Sequence, residues 1–251
     1  MRKYILNQPI DTENIDEAVR LSKNALTEKK QLKIITLNPE MVINALKNQE
    51  FKNALDKSEL IVPDGTGIIW ALKKIYGSEC KNIKRIPGIE LAEKILSIAD
   101  ELGKKVSIFG GKLHTLNTAL KKLKEKHKNI RFVKSFDGYQ SKTMDKKIAE
   151  EIADEMPDVV FVALGTPRQE IWINKYSYLF PNSIMIGIGG SLDVWSGEKP
   201  RAPKWVRKMH LEWLYRILIA PERIPRVLKS LPRFVWMVTW NVILSRRRRI
   251  S

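Results

Sequence analysis

"LIVPDGTGI", Leu60–Ile68, is an apolar run that stops at a proline and an aspartate and resumes beyond a glycine in a new rhythm. Pro, Asp and Gly each favour a turn for a local reason: proline presets φ, aspartate bonds its own backbone, glycine admits positive φ. The next stretch, "TGIIWALKKIYG" (66–77), has apolar residues three and four apart, as a helix does. A buried strand, a turn and a helix make the first part of a strand–helix–strand unit. Asp64 then has two readings, a turn residue or a catalytic base held at the end of a buried strand, and the stretch alone leaves both open.

The same unit recurs on either side. "LKIITLN" (32–38), "ELIVP" (59–63), "KVSIFGG" (105–111), "IRFVKSF" (130–136), "DVVFVALG" (158–165) and "SIMIGIGG" (183–190) read as strands. Amphipathic stretches such as "GIELAEKILSIADELG" and "HTLNTALKKLKEKH" lie between them. This alternation predicts an α/β fold, a mostly parallel sheet with helices on both faces, over residues 1–195. From Ser196 onward the strand signal ends, and 14 Lys and Arg stand against three acids, so +11 of the net +17 belongs to the last fifth of the chain. Residues 196–251 therefore read as a basic helical appendage, broken at Pro221, Pro225 and Pro232.

Composition narrows the function classes. One cysteine, Cys80, rules out an internal disulfide framework and suits a reducing, cytoplasmic setting, and His114, His127 and His210 show no zinc-like spacing. Nowhere do about 18 apolar residues run together, as a membrane span requires. "FVWMVTWNVIL" (234–244), followed by Arg246–Arg249, is too short to span but suits a helix lying on an anionic membrane surface. An arginine run could instead bind nucleic acid, but the apolar run is denser than a solvated nucleic-acid face needs and no recognised motif accompanies it. Nucleic acid is not an expected partner. An apolar tail exposed to water also predicts self-association off the membrane.

In an open parallel sheet, ligands sit beyond the carboxyl ends of the strands. The residues there are Thr36 and Asn38, Asp64, Gly110, Asp137, the segment "LGTPRQE" with Gly165, Arg168, Gln169 and Glu170, and "GIGGSLD" with Asp193. Glycines let a ligand approach the backbone, and helix first turns attract anions, so the rim suits a phosphate-bearing ligand. As a motif the dinucleotide pattern fails because "GIGGSL" ends in Leu192, and "GGK" (110–112) is followed by Leu113 where a P-loop has Ser or Thr, which leaves a degenerate Rossmann-like site, and with it a dehydrogenase-like enzyme, as an open alternative. No two aspartates stand in D-x-D spacing, so arginines, Arg85 and Arg168 among them, and backbone amides are expected to meet a leaving diphosphate without metal or cofactor. Each residue also has a plainer role: Gln169 and Glu170 as first-turn polarity, Asp193 as a cap, Thr36 and Asn38 as strand-end partners, Arg85 as a loop charge.

Taken together, "TLNPEMVINAL" (36–46), "VPDGTGIIWALK" (62–73), "RIPGIEL" (85–91), "SIFGGK" (107–112), "FDGY" (136–139), "VALGTPRQEIWI" (162–173) and "GIGGSLDVWSGEKPRAPKWVRKMHLEWLYRILIAPERIPR" (187–226) resemble the WecG/TagA/CpsF glycosyltransferases over nearly the whole chain. The resemblance implies a Rossmann-like core and an inverting transfer of N-acetylmannosamine from a UDP donor to N-acetylglucosamine on undecaprenyl diphosphate, an early step of wall teichoic acid synthesis. A related donor, such as a uronic acid, is the alternative. It implies Asp64 as general base with Thr36 as its catalytic companion and Asn38 close by, Arg168, Gln169 and Asp193 on the donor, and Arg85 on a phosphate or a sugar; Gly110 and Gly165 of the rim are expected on the substrates as well. Arg216, Arg223 and Arg226 are expected on a diphosphate, and the enzyme on the inner face of the cell membrane.

Overall fold

The computed structural model describes residues 1–209, 212–219 and 224–247. The chain opens with an antiparallel hairpin, β1 (Arg2–Ile5) and β2 (Gln8–Asp11), which is not among the strands expected from sequence. Its turn residues Leu6 and Asn7 both have positive φ, the geometry that matches strand twist. Neither is glycine, so the usual signal for such a turn is missing. The hairpin matters because it protects an edge of the main sheet.

Six parallel strands come next: β3 (Leu32–Leu37), β4 (Leu60–Pro63), β5 (Lys105–Gly110), β6 (Arg131–Phe132), β7 (Val159–Ala163) and β8 (Ile184–Gly187). Their order across the sheet is β4-β3-β8-β7-β5-β6. The register sets Leu60, Ile34, Ile186, Phe161 and Ile108 side by side in one row across five strands. All five are buried in the same cluster, on the face covered by α1 (Ile15–Glu28), α5 (Gly88–Glu101), α6 (Leu113–Lys126) and α9 (Ser191–Ser196). Their sequence neighbours Ile61, Ile35, Met185 and Val160 point the other way, into clusters shared with α2 (Pro39–Ala45), α3 (Gln49–Asp56), α4 (Thr66–Tyr76), α7 (Asp145–Ala153) and α8 (Arg168–Tyr176). Apolar residues at consecutive positions are thus used on both faces, which is why the strands read as continuous apolar runs.

β4 is an edge strand, and its exposed donors need partners. Asp11 of β2 accepts the Ile61 amide at 2.8 Å while pairing with Arg2, which itself reaches the carbonyls of Ser58 and Glu59. At the other edge, the strand expected over 130–136 is regular only at Arg131–Phe132. Beyond it Ser107 Oγ donates to the Lys134 carbonyl, and Ser135 Oγ accepts the Ile108 amide. Side chains replace two ladder bonds there, so the segment runs along β5 without being a regular strand.

The basic tail forms α10 (Lys204–Lys208), α11 (Glu212–Ile219) and α12 (Ile224–Arg247). Of the expected breaks, the one at Pro232 does not occur, Pro225 stands where α12 begins, and Pro221 lies outside the described residues. Pro225 stands in the first turn of α12, where the missing N–H has no helical partner anyway. Pro232 is inside the helix, which continues because Phe234 and Val238 are buried among Ile35, Met41, Phe51 and Ile68 of the core. Burying a side chain such as Phe234 contributes about 2 kcal/mol, comparable with the cost of an interior proline. Gly67 permits this approach: a Cβ there would meet the Pro39 ring at 2.7 Å and lie 3.9 Å from Leu231 of α12.

Candidate active site

Because the six strands are parallel, their carboxyl ends share one rim, and two places on it are built for chemistry. The first is the corner where β3 and β4 end. The Asp64 amide donates to the Leu37 carbonyl at 2.8 Å, extending the ladder by one bond beyond Pro63, and Ile86 donates to the Pro63 carbonyl at 2.8 Å. Those two bonds draw the 85–88 segment over the strand ends. Asp64 Oδ2 then accepts the amide of Gly88, the first residue of α5, at 3.3 Å. The positive end of a 14-residue helix thus faces the carboxylate. A Cβ on Gly88 would lie 3.0 Å from Thr36 Oγ1, so Thr36, Gly88 and Asp64 form one packed corner. Asn38 borders it as the cap of α2, its side chain accepting the Met41 amide at 3.1 Å.

Arg85 is next to this corner in sequence, but its guanidinium is engaged: Nη2 lies 2.6 Å from Glu212 Oε2 of α11, with both side chains largely buried. Glu212 therefore ties the tail to the core. Arg223 lies outside the described residues, as do the side chains of Arg216 and Arg226.

The second place is a cavity of about 700 Å³ beyond β5, β7 and β8. Gly111, Gly165, Gly189 and Gly190 line it with backbone, and Lys112, Arg168, Asp193 and Lys199 with charge. Gly110 lies under it with φ +132, and a Cβ there would sit 2.4 Å from the Ala163 carbonyl, so only glycine lets β5 and β7 end so closely together. Arg168 is held by Asp145 at 2.9 Å and by the Gly138 carbonyl at 3.2 Å, while Asp193 pairs with Lys199 at 2.8 Å. Thr115, Tyr139 and Glu198 also line the cavity and were not singled out from sequence. Glu198 accepts the Thr115 hydroxyl at 2.7 Å, which with His114 holds its carboxyl below the usual range.

Gln169 packs against the end of β8, where Gly189 lines the cavity. Buried at the start of α8, it accepts the Gly189 amide at 3.2 Å and donates to Glu170 Oε1 at 2.7 Å. Glu170, read from sequence as first-turn polarity, is instead buried, and burial pushes its carboxyl up to about 7 against the hydrogen bonds from Gln169 and Thr166. Only β3 separates β4, which carries Asp64, from β8, whose end lines the cavity, so the Asp64 corner and the near edge of the cavity stand two strand spacings apart, about 10 Å. A nucleotide-sugar bound across that gap could rest its diphosphate over the glycine-lined cavity and present its sugar to the carboxylate.

The family described as "Glycosyl transferase WecG/TagA/CpsF family" matches this chain over residues 3–249. A protein of Bacillus spizizenii is 36% identical over 229 residues, covering 91% of this chain and 87% of its own. One from Bacillus subtilis is 35% identical over 219 residues (87% and 83%), and one from Staphylococcus aureus 37% over 205 (82% and 78%). All three are named N-acetylglucosaminyldiphosphoundecaprenol N-acetyl-beta-D-mannosaminyltransferase.

Proposed function

We infer the reaction from one premise: the chain belongs to the glycosyl transferase WecG/TagA/CpsF family, and it is a glycosyltransferase. It moves N-acetylmannosamine from UDP-N-acetylmannosamine to N-acetylglucosamine-diphospho-undecaprenol, a step in making the wall teichoic acid linkage unit. The names of its relatives support the donor and acceptor. The observation that carries the mechanism is the carboxylate of Asp64 at the end of β4, opposite the amino terminus of α5 and about two strands from the glycine-lined cavity. In an inverting transfer the acceptor hydroxyl attacks the anomeric carbon as its bond to UDP breaks, and Asp64 takes the hydroxyl proton. Thr36 lines the same corner, and Asn38 keeps it in shape by capping α2.

The cavity receives UDP. Gly165 and Gly189 allow the diphosphate close to backbone, and Lys112 and Arg168 offset its charge. Asp193 and Gln169 shape the donor side. Arg85 and Glu212 hold α11 against the catalytic corner, and the tail arginines Arg216, Arg223 and Arg226 are the cations proposed to meet a diphosphate.

The acceptor is lipid-borne, so the enzyme works on a bilayer surface, the inner face of the cell membrane. Among the described residues no helix is long and apolar enough to cross it. α12 supports surface attachment instead: Phe234, Val238 and Val242 are buried, while Val235, Trp236, Trp240, Ile243 and Leu244 are exposed. Trp236 and Trp240 stack at 6.3 Å on that outer side. Off the membrane the same face is covered by a second copy of the chain.

The deciding experiment measures acceptor-dependent UDP release for wild type and Asp64→Asn. Loss of the base is expected to lower the rate about 100-fold or more. Undiminished release would return Asp64 to a turn residue, and no release by wild type with any UDP-sugar would reject the reaction.

A further inference from the structure

Glu170 is buried, yet among the described residues none of the contacts made by its carboxyl joins it to a charged partner. Oε1 accepts two hydrogen bonds, from Gln169 Nε2 at 2.7 Å and from Thr166 Oγ1 at 3.2 Å, while Oε2 is buried without a partner. Arg168, the adjacent cation, is engaged with Asp145 and the Gly138 carbonyl. A buried carboxyl without a counter-charge is costly in its ionised form. Its position therefore asks what it does for its neighbours.

Gln169 has an amide whose two ends are chemically opposite. The end facing Glu170 must donate, because Oε1 there accepts, and so the other end presents an oxygen to the Gly189 amide, which it accepts at 3.2 Å. Gly187 leaves the space: a Cβ on it would lie 2.5 Å from Gln169 Nε2. The amide thus lies against the end of β8, beside the Gly189 that lines the cavity. We propose that Glu170 is a positioning residue, whose Oε1 fixes the orientation of the Gln169 amide against Gly189 and thereby the shape of the donor side of the site. The inference rests on the reading of that side as a UDP-sugar pocket. Its work is done by the accepting oxygen Oε1, which a glutamine can equally supply.

Two substitutions separate this role from mere packing. Glu170→Gln keeps an accepting oxygen and is expected to turn over UDP-N-acetylmannosamine within about threefold of wild type. Glu170→Met has a similar volume, removes the unpartnered Oε2 and is expected to melt no lower than wild type. It should nevertheless raise the donor KM or lower kcat/KM about tenfold, the worth of one well-placed hydrogen bond. A Met variant that melts normally and works normally overturns the proposal, as does a Gln variant as impaired as Met. A second readout needs no substrate: in ¹⁵N spectra of the full chain, the Gln169 side-chain amide protons should exchange slowly in wild type and Glu170→Gln and rapidly in Glu170→Met. Unchanged exchange in the Met variant refutes the positioning role even if wild type transfers no sugar, whereas inactive wild type with the expected exchange pattern refutes only the reaction.

Discussion

Arg85 of the core and Glu212 of α11 form a buried ion pair, Nη2 to Oε2 at 2.6 Å, across 127 residues of sequence. It joins the basic tail to the loop that lies over Asp64. Removing one member of a buried pair costs about 3 kcal/mol because it leaves the other in a poorly solvated place. Glu212→Ala and Arg85→Ala are each expected to lower the unfolding free energy by about that much, and the double variant by much less than the sum. Denaturant melts of the four proteins check this, and additive losses would show that the two side chains do not depend on each other.

Glu170 makes stability depend on pH. Its carboxyl is raised from 4.5 unfolded to about 7 folded, by burial first. Below the unfolded value both states hold the proton and the contribution is fully present. As pH rises towards about 7 the unfolded chain gives up its proton while the folded one keeps it, so stability falls and then levels off, by on the order of 3 kcal/mol in all. Glu170→Gln should flatten this part of the profile. Parallel profiles for the two proteins would mean that the carboxyl is not the source.

α12 has two faces with different jobs. Phe234→Ala on the buried face is expected to destabilise the fold by about 3 to 5 kcal/mol. Trp236→Ser with Trp240→Ser, on the exposed face, should leave melting nearly unchanged and weaken sedimentation with anionic vesicles at least severalfold. Undiminished vesicle binding would remove the tryptophans from the membrane contact.

Two glycines on the same rim should behave differently. Gly110→Ala places a Cβ 2.4 Å from the Ala163 carbonyl at φ +132, so a loss of about 3 kcal/mol or more, or no soluble protein, is expected. Gly165 has φ +76 with nothing within 4 Å of its added Cβ, and alanine there should cost only about 1 kcal/mol. Thermal melts of the pair test whether backbone crowding, rather than positive φ alone, demands glycine at the strand ends.

Alternating apolar runs and helical periodicity were enough to read six strands, their parallel sense and the strand-end position of Asp64, because those features are written in short windows of residues. Local signals did not reach the hairpin with its Leu6–Asn7 turn, the unbroken helix through Pro232 or the partner of Glu212. Each depends on what distant residues supply: an edge strand to protect, a core pocket for Phe234, a buried arginine. The burial of Glu170 is of the same kind, since a carboxylate at a helix start is ordinary until the surrounding elements close over it. Strand order is the clearest case. Only the folded chain sets β3 between β4 and β8, and that order sets the distance from the carboxylate to the cavity, because a parallel crossover is chosen by which faces can be buried together and not by the residues of the strands it joins.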